Sequence, residues 1–254
     1  MGEVRQFELD ISPLDQSPRD IFIYLPNNYL NNKKRYPVLY MLDGQNIFFN
    51  DYATYGKSWE MKEFLDQHHK EYIVVGIDCN HTGNQRLVEY TPFEFNDHYF
   101  GYIEAKGDIT IDWIVSTLKP HIDKNYRTLK TRENTSIAGS SMGGLMALYS
   151  VIKYNDIFSK AACLSLSLMF VYKEIYEYIN KSNLNKNTKI YMDFGSKELG
   201  SKNRTIKTLD SMLSINYLLQ LKGINSVPNI IVNGMHNEAT WESVVPIFID
   251  YFEK

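Results

Sequence analysis

Short apolar runs and chain-breaking clusters alternate along the sequence in a regular order. Arg19 to Leu25 reads as a strand ended by Pro26-Asn27-Asn28, and Tyr36 to Leu42 as a buried strand ended by Asp43-Gly44. Ser58 can cap a helix from Trp59 to about His68, with Met61, Phe64 and Leu65 at helical spacing. Tyr72 to Asp78 is another buried strand. A helix containing Ile111, Ile114, Val115 and Leu118 starts at Asp108 or Thr110. Asn134 to Ala138 predicts a strand and Leu145 to Ile152 a helix. A strand at Ala161–Leu164, a helix near Tyr172–Ile179 and a strand at Lys189–Phe194 follow. A long helix runs from about Asn203 to Lys222, stopped by Gly223. The last strand, Asn229–Val232, is read as buried and leads through Gly234 to an amphipathic helix from about Glu238 to Phe252.

Strands separated by helices imply an α/β fold, a mostly parallel sheet covered on both faces. The N-terminal run Val4–Ile11 has no helix after it and is expected to form an antiparallel edge. No repeat or linker breaks the order, so one domain over 1–254 is expected. Residues 80–106 are the irregular exception. They leave the C-terminal end of a central strand, where open α/β sheets place their ligand crevice, so a functional or mobile loop is expected there.

Composition narrows the partners. Net charge is −3 with dispersed basic residues, which points away from nucleic acid and anionic membranes. The opening residues carry an acid and no apolar run, so no signal peptide and a cytoplasmic location are expected. No apolar stretch approaches a bilayer span. Cys79 and Cys163 sit in apolar contexts, as reduced core thiols would. The 19 tyrosines are explained as well by a compositional lean toward Asn, Lys, Ile and Tyr as by an aromatic binding surface.

One segment specifies a chemistry. Gly139-Ser140-Ser141-Met142-Gly143, followed by Gly144, fits G-x-S-x-G between a strand and a helix, the turn that pushes a serine hydroxyl clear of the backbone. Small residues are required around that serine because side chains there would collide with neighbouring elements. A serine hydroxyl needs a base within hydrogen-bond reach and an acid behind the base. Of the six histidines, His68 and His69 lie on a surface helix about 100° apart, which argues against a shared metal. His121 ends a helix, and His81 and His98 lie in the long loop, where they could touch substrate. His236 follows the last strand and precedes the last helix, downstream of the serine as the order Ser…acid…His requires. Asp193 and Glu198 both lie at the end of the strand Lys189–Phe194. Glu198, beyond Gly195, is favoured because Asp193 is still held by strand alternation. An oxyanion needs preset N–H donors. The amide of Met142 supplies one, and Gln45, in the turn Asp43-Gly44-Gln45-Asn46, is the best second.

These segments resemble a known family. Leu42 to Asn46, Gly139 to Gly144, Tyr191 to Glu198 and His236-Asn237-Glu238-Ala239-Thr240-Trp241 are similar to the putative esterase family of the α/β-hydrolases. That family includes esterase D, ferric-enterobactin esterases, feruloyl and acetyl-xylan esterase domains, and mycolyltransferases. The resemblance covers nearly the whole chain. It implies a three-layer αβα sandwich with no inserted lid, no metal and no cofactor, with Ser141 as nucleophile, His236 as base and Glu198 as acid. Many members carry Asp at the acid position. Arg86, Glu89, Tyr90, Thr91 and Pro92 resemble an R-x-x-E-Y-T-P loop segment of bacterial members, with a structural or substrate-facing role.

The expected activity is hydrolysis of a small soluble carboxylic ester, with Asp43, Gly44, Arg86, Tyr90 and Trp241 as candidate substrate contacts. A ferric-siderophore trilactone is an alternative and would need cations such as Arg86 or Arg204. A feruloyl or acetyl sugar ester is another and would use Trp59, Tyr90, Phe93, Tyr99 and Tyr102. Acyl transfer on the same site, and a non-catalytic binding protein, are further alternatives. Homo-oligomerisation stays open.

Overall fold

The computed structural model describes residues 1–254. Ten strands form: β1 Glu3–Leu9, β2 Arg19–Leu25, β3 Val38–Leu42, β4 Ile73–Ile77, β5 Phe95–Asp97, β6 Gly101–Ile103, β7 Thr135–Ser140, β8 Lys160–Leu164, β9 Lys189–Gly195 and β10 Asn225–Ile231. Eight helices accompany them: α1 Met61–Gln67, α2 Gln85–Tyr90, α3 Gly107–Trp113, α4 Lys119–Asn125, α5 Met142–Lys153, α6 Tyr172–Lys181, α7 Lys202–Leu221 and α8 Glu238–Glu253. A π turn at Ile114–Leu118 joins α3 to α4.

Eight strands make one sheet in the order β1-β2-β4-β3-β7-β8-β9-β10. The pairs from β4 to β10 are parallel, while β1–β2 and β2–β4 are antiparallel. The expected mostly parallel α/β-hydrolase sheet with an antiparallel N-terminal edge is therefore the observed one. Its two-sided burial follows from strand periodicity. Ile21, Ile23, Val38, Tyr40, Leu42, Ile73, Val75 and Ile137 face one core, while Phe22, Tyr24, Leu39, Met41, Val74 and Ala138 face the other. Helices α2 to α7 cover the first, larger core, and α1 and α8 cover the second. In α8, Trp241, Val244, Val245, Phe248, Ile249 and Phe252 recur at the spacing that gives one apolar face. No helix is long and apolar enough to cross a membrane.

Three local readings change. Residues 80–106 are not an irregular loop: they hold α2 and the β5–β6 hairpin. Strand β10 is longer than predicted and is a half-exposed edge, with Val227 and Ile230 open to solvent and Val232 exposed just beyond its end. Its edge position also explains why Pro228, which lacks a backbone N–H, is tolerated within a strand. His121 lies inside α4 and stacks on Phe7.

Candidate active site

Strand β7 ends at Ser140 and α5 begins at Met142, so the chain reverses at Ser141 alone. Ser141 has φ 59° and ψ −122°, a backbone that side chains rarely adopt. Its N–H donates to Leu164 O at 2.9 Å, which ties the turn to β8. A side chain at Gly139 would meet Gly143 O at 2.5 Å, so strand and helix can approach this closely only with glycine there. The sharp turn is thus written in residue size as well as in the serine.

His236 and Glu198 are joined by interlocking loops. Lys197 N–H donates to Gly234 O at 2.9 Å, Ser196 N–H to Ile231 O at 2.9 Å, and Asn233 N–H to Ser196 Oγ at 2.9 Å. The result is a 2.7 Å contact between His236 Nδ1 and Glu198 Oε2. The other Glu198 oxygen accepts from Ser165 Oγ at 2.7 Å and from Gly195 N–H at 2.5 Å. Trp241 Nε1–H in turn donates to Ser165 Oγ at 2.7 Å, and its ring meets His236 edge to face. Asp193, the other carboxylate weighed from sequence, makes no contact with His236. It accepts from Ser165 N–H at 2.7 Å, its second oxygen has no partner, and burial pushes its carboxyl up to about 7.

Ser141 and His236 line the same cleft, of about 700 Å³. No hydrogen bond joins them: Ser141 Oγ pairs instead with Ser167 Oγ at 3.3 Å. Met142 and Gln45 also line this cleft. Their N–H groups lie in the first turn of α5 and of the 3-10 turn Gly44–Asn46, where no intrahelical carbonyl reaches them, and no loop carbonyl takes them either.

Of the substrate-contact candidates, Asp43, Arg86 and Trp241 line the cleft, whereas Gly44 and Tyr90 do not. Arg86 faces the cleft, but Asp43 claims it through two bonds of 2.6 and 2.7 Å. Asp43 itself has φ 58°, and its N–H donates to the Tyr90 hydroxyl at 3.1 Å. Tyr90 is buried beneath the Arg86 guanidinium and does not reach the cleft. Gly44 lies against β4, where a side chain would meet the Gly76 carbonyl carbon at 2.4 Å. Trp241 lines the cleft, with its polar atom used by Ser165. Glu89 forms a buried pair with Arg19 at 2.6 Å. The R-x-x-E-Y-T-P segment is therefore a clamp that fastens α2 to the turn after β3. Removing the cation in Arg86→Ala would strand the buried Asp43 carboxylate and is expected to cost about 3 kcal/mol of stability, read from a urea melt.

The aromatic candidates are displaced as well. Trp59 is buried in the core under α8, Phe93 packs on Tyr149 and Tyr178, and Tyr99 and Tyr102 are exposed outside the cleft. Arg204 is exposed on α7, away from it. The apolar rim comes instead from Tyr55, Met169 and Phe170, which the sequence does not single out, and from Phe100, which belongs to the 80–106 segment expected to be functional. Ser165 and Ser167 carry no motif of their own, although their alternation with leucine directly after the strand beside β7 is a readable signal.

Sheet order, the strained serine turn and the cleft above the parallel strands define an α/β-hydrolase. The chain belongs to the Putative esterase family, whose model matches residues 12–246. It is 28% identical over 189 residues to the uncharacterized protein YbbA of Bacillus subtilis, across 71% of this chain and 69% of that protein. A ferulic acid esterase structure superposes with a TM-score of 0.73 at 19% identity, covering 99% of this chain and 97% of the other. The enterobactin esterase FES of Shigella flexneri gives 0.74 at 16% identity, covering 99% of this chain and 59% of the other. At these identities the two structures speak for the fold.

Proposed function

We propose that the protein is a serine esterase acting on a small carboxylic ester that carries no negative charge. The observation that carries this reading is the bond between His236 Nδ1 and Glu198 within the cleft that holds the strained Ser141. With Nδ1–H given to the carboxylate, Nε2 is the acceptor nitrogen and has no protein partner. Ser141 Oγ turns from Ser167 to His236 when substrate enters, since catalytic hydrogen bonds commonly tighten only in the complex. His236 takes the serine proton as Oγ attacks the ester carbonyl, and Glu198 stabilises the imidazolium. The amides of Met142 and Gln45, still without acceptors, receive the oxyanion. His236 then protonates the departing alkoxide, and water activated by the same imidazole releases the acid from Ser141.

Charge argues against a ferric trilactone. Arg86 is the only Lys or Arg in the cleft wall, and Asp43 neutralises it. No unpaired Lys or Arg is left for a polyanion. A fluorophosphonate probe tests the reading: it is expected to label wild type at Ser141 and to leave Ser141→Ala unlabelled. Equal labelling of both proteins would overturn it, and no labelling of either would favour a binding protein with a hydrolase fold.

A further inference from the structure

Glu238 is the first residue of α8, two positions beyond His236. It is 3% exposed, and the little surface it has lies in the wall of the cleft. No other residue gives its carboxylate a hydrogen bond or an ion pair; only its own backbone N–H stands against it. Every other acid in that wall is satisfied: Asp43 by Arg86 and Glu198 by His236, Ser165 and Gly195. A desolvated carboxylate without donors is costly, and a ligand donor that pairs with it recovers that cost. Burial also pushes this carboxyl up, with the Asp43 carboxylate adding to the effect against His236 and Arg86.

We infer that Glu238 is a specificity residue that accepts a hydrogen bond from the substrate, selecting esters that carry a hydroxyl or protonated amine near the carbonyl and rejecting those that carry a carboxylate. This rests on the esterase reading above and adds the substrate's polar group to it. The serine, the base and the oxyanion donors are indifferent to such a group. Asp43 is held by Arg86, so Glu238 is the one acid of the wall still free to receive it.

The test is pH-stat hydrolysis of four matched esters: methyl butyrate, methyl β-hydroxybutyrate, methyl β-aminobutyrate and monomethyl succinate. Wild type is expected to favour the hydroxy or amino ester over methyl butyrate in kcat/KM by about tenfold or more, with monomethyl succinate slowest. In Glu238→Gln the ratio of amino ester to succinate should fall by about tenfold or more, because the charge is gone. Glu238→Gln keeps an acceptor for a hydroxyl, whereas Glu238→Leu removes it, so the two variants separate hydroxyl from ammonium recognition. Glu242→Gln, on the outer face of α8 with Lys57, serves as the control that leaves all ratios unchanged. Ratios that do not move in either Glu238 variant, or rates that fall by one common factor for all four esters, would overturn the inference. If no ester is turned over and Ser141 resists the fluorophosphonate, the esterase reading fails instead. Thermal shifts of wild type and Glu238→Gln with the same four compounds then decide the charge preference by binding alone.

Discussion

Ser141→Ala is expected to lower kcat for p-nitrophenyl acetate on the order of 10⁵-fold or more while leaving the melting temperature nearly unchanged. The separation of the two readouts follows from what the side chain touches. Its hydroxyl makes one contact, the 3.3 Å pair with Ser167, while the turn is held by the Ser141 N–H bond to Leu164 O. Alanine keeps that backbone bond and the small volume, and it loses only the nucleophile. The residual rate belongs to the oxyanion donors and to substrate binding, which alone give modest acceleration over water. A variant that kept wild-type turnover would show that the cleft hydrolyses esters by some other group, and the reading would be wrong.

The second large effect separates two carboxylates that lie five residues apart. Glu198→Gln is expected to reduce kcat by roughly 10³–10⁴-fold, because the neutral amide neither fixes the imidazole tautomer nor stabilises its cation. Asp193→Asn should stay within roughly tenfold of wild type, since its only bond, from Ser165 N–H, survives the change. Its signature is in stability. The Asp193 carboxyl, raised to about 7 in the folded chain, binds its proton more tightly there than when unfolded. The stability it contributes is complete below the ordinary aspartate range and is lost as pH rises toward about 7. Asn at this position removes that slope, so melting temperature against pH should be flatter for Asp193→Asn than for wild type. A larger kinetic loss from Asp193→Asn than from Glu198→Gln would move the acid's role to Asp193.

Much of this site is legible from local chemistry, and the parts that are not have physical reasons. The parallel strands announce themselves because both faces are buried, so apolar residues run without interruption. The same rule misleads at β10, where Ile230-Ile231-Val232 reads as interior but is the exposed end of the sheet's edge strand, with Val232 just past it. Helix α2 has six residues, too few to display a period, so it merges into an apparent loop. Glu198 is readable because Gly195 releases the chain from strand geometry just before it. The fate of Arg86 is not readable: its partner Asp43 lies 43 positions away, and the contact depends on a left-handed backbone at a non-glycine residue. Without that contact Arg86 looks like a free cation for an anionic substrate. With it, the cation is neutralised, and Glu238 is left as the polar group of the wall that needs a partner.

On the proposed mechanism an acyl group passes through Ser141 under the control of His236 and Glu198. Rapid acid quench of the enzyme with p-nitrophenyl acetate, followed by peptide mass spectrometry, tests it most directly. One acetyl group is expected on the peptide containing Ser141, accumulating in Glu198→Gln and absent in Ser141→Ala. Turnover of the ester with no acetylated peptide, or with the acetyl group on another residue, would contradict it.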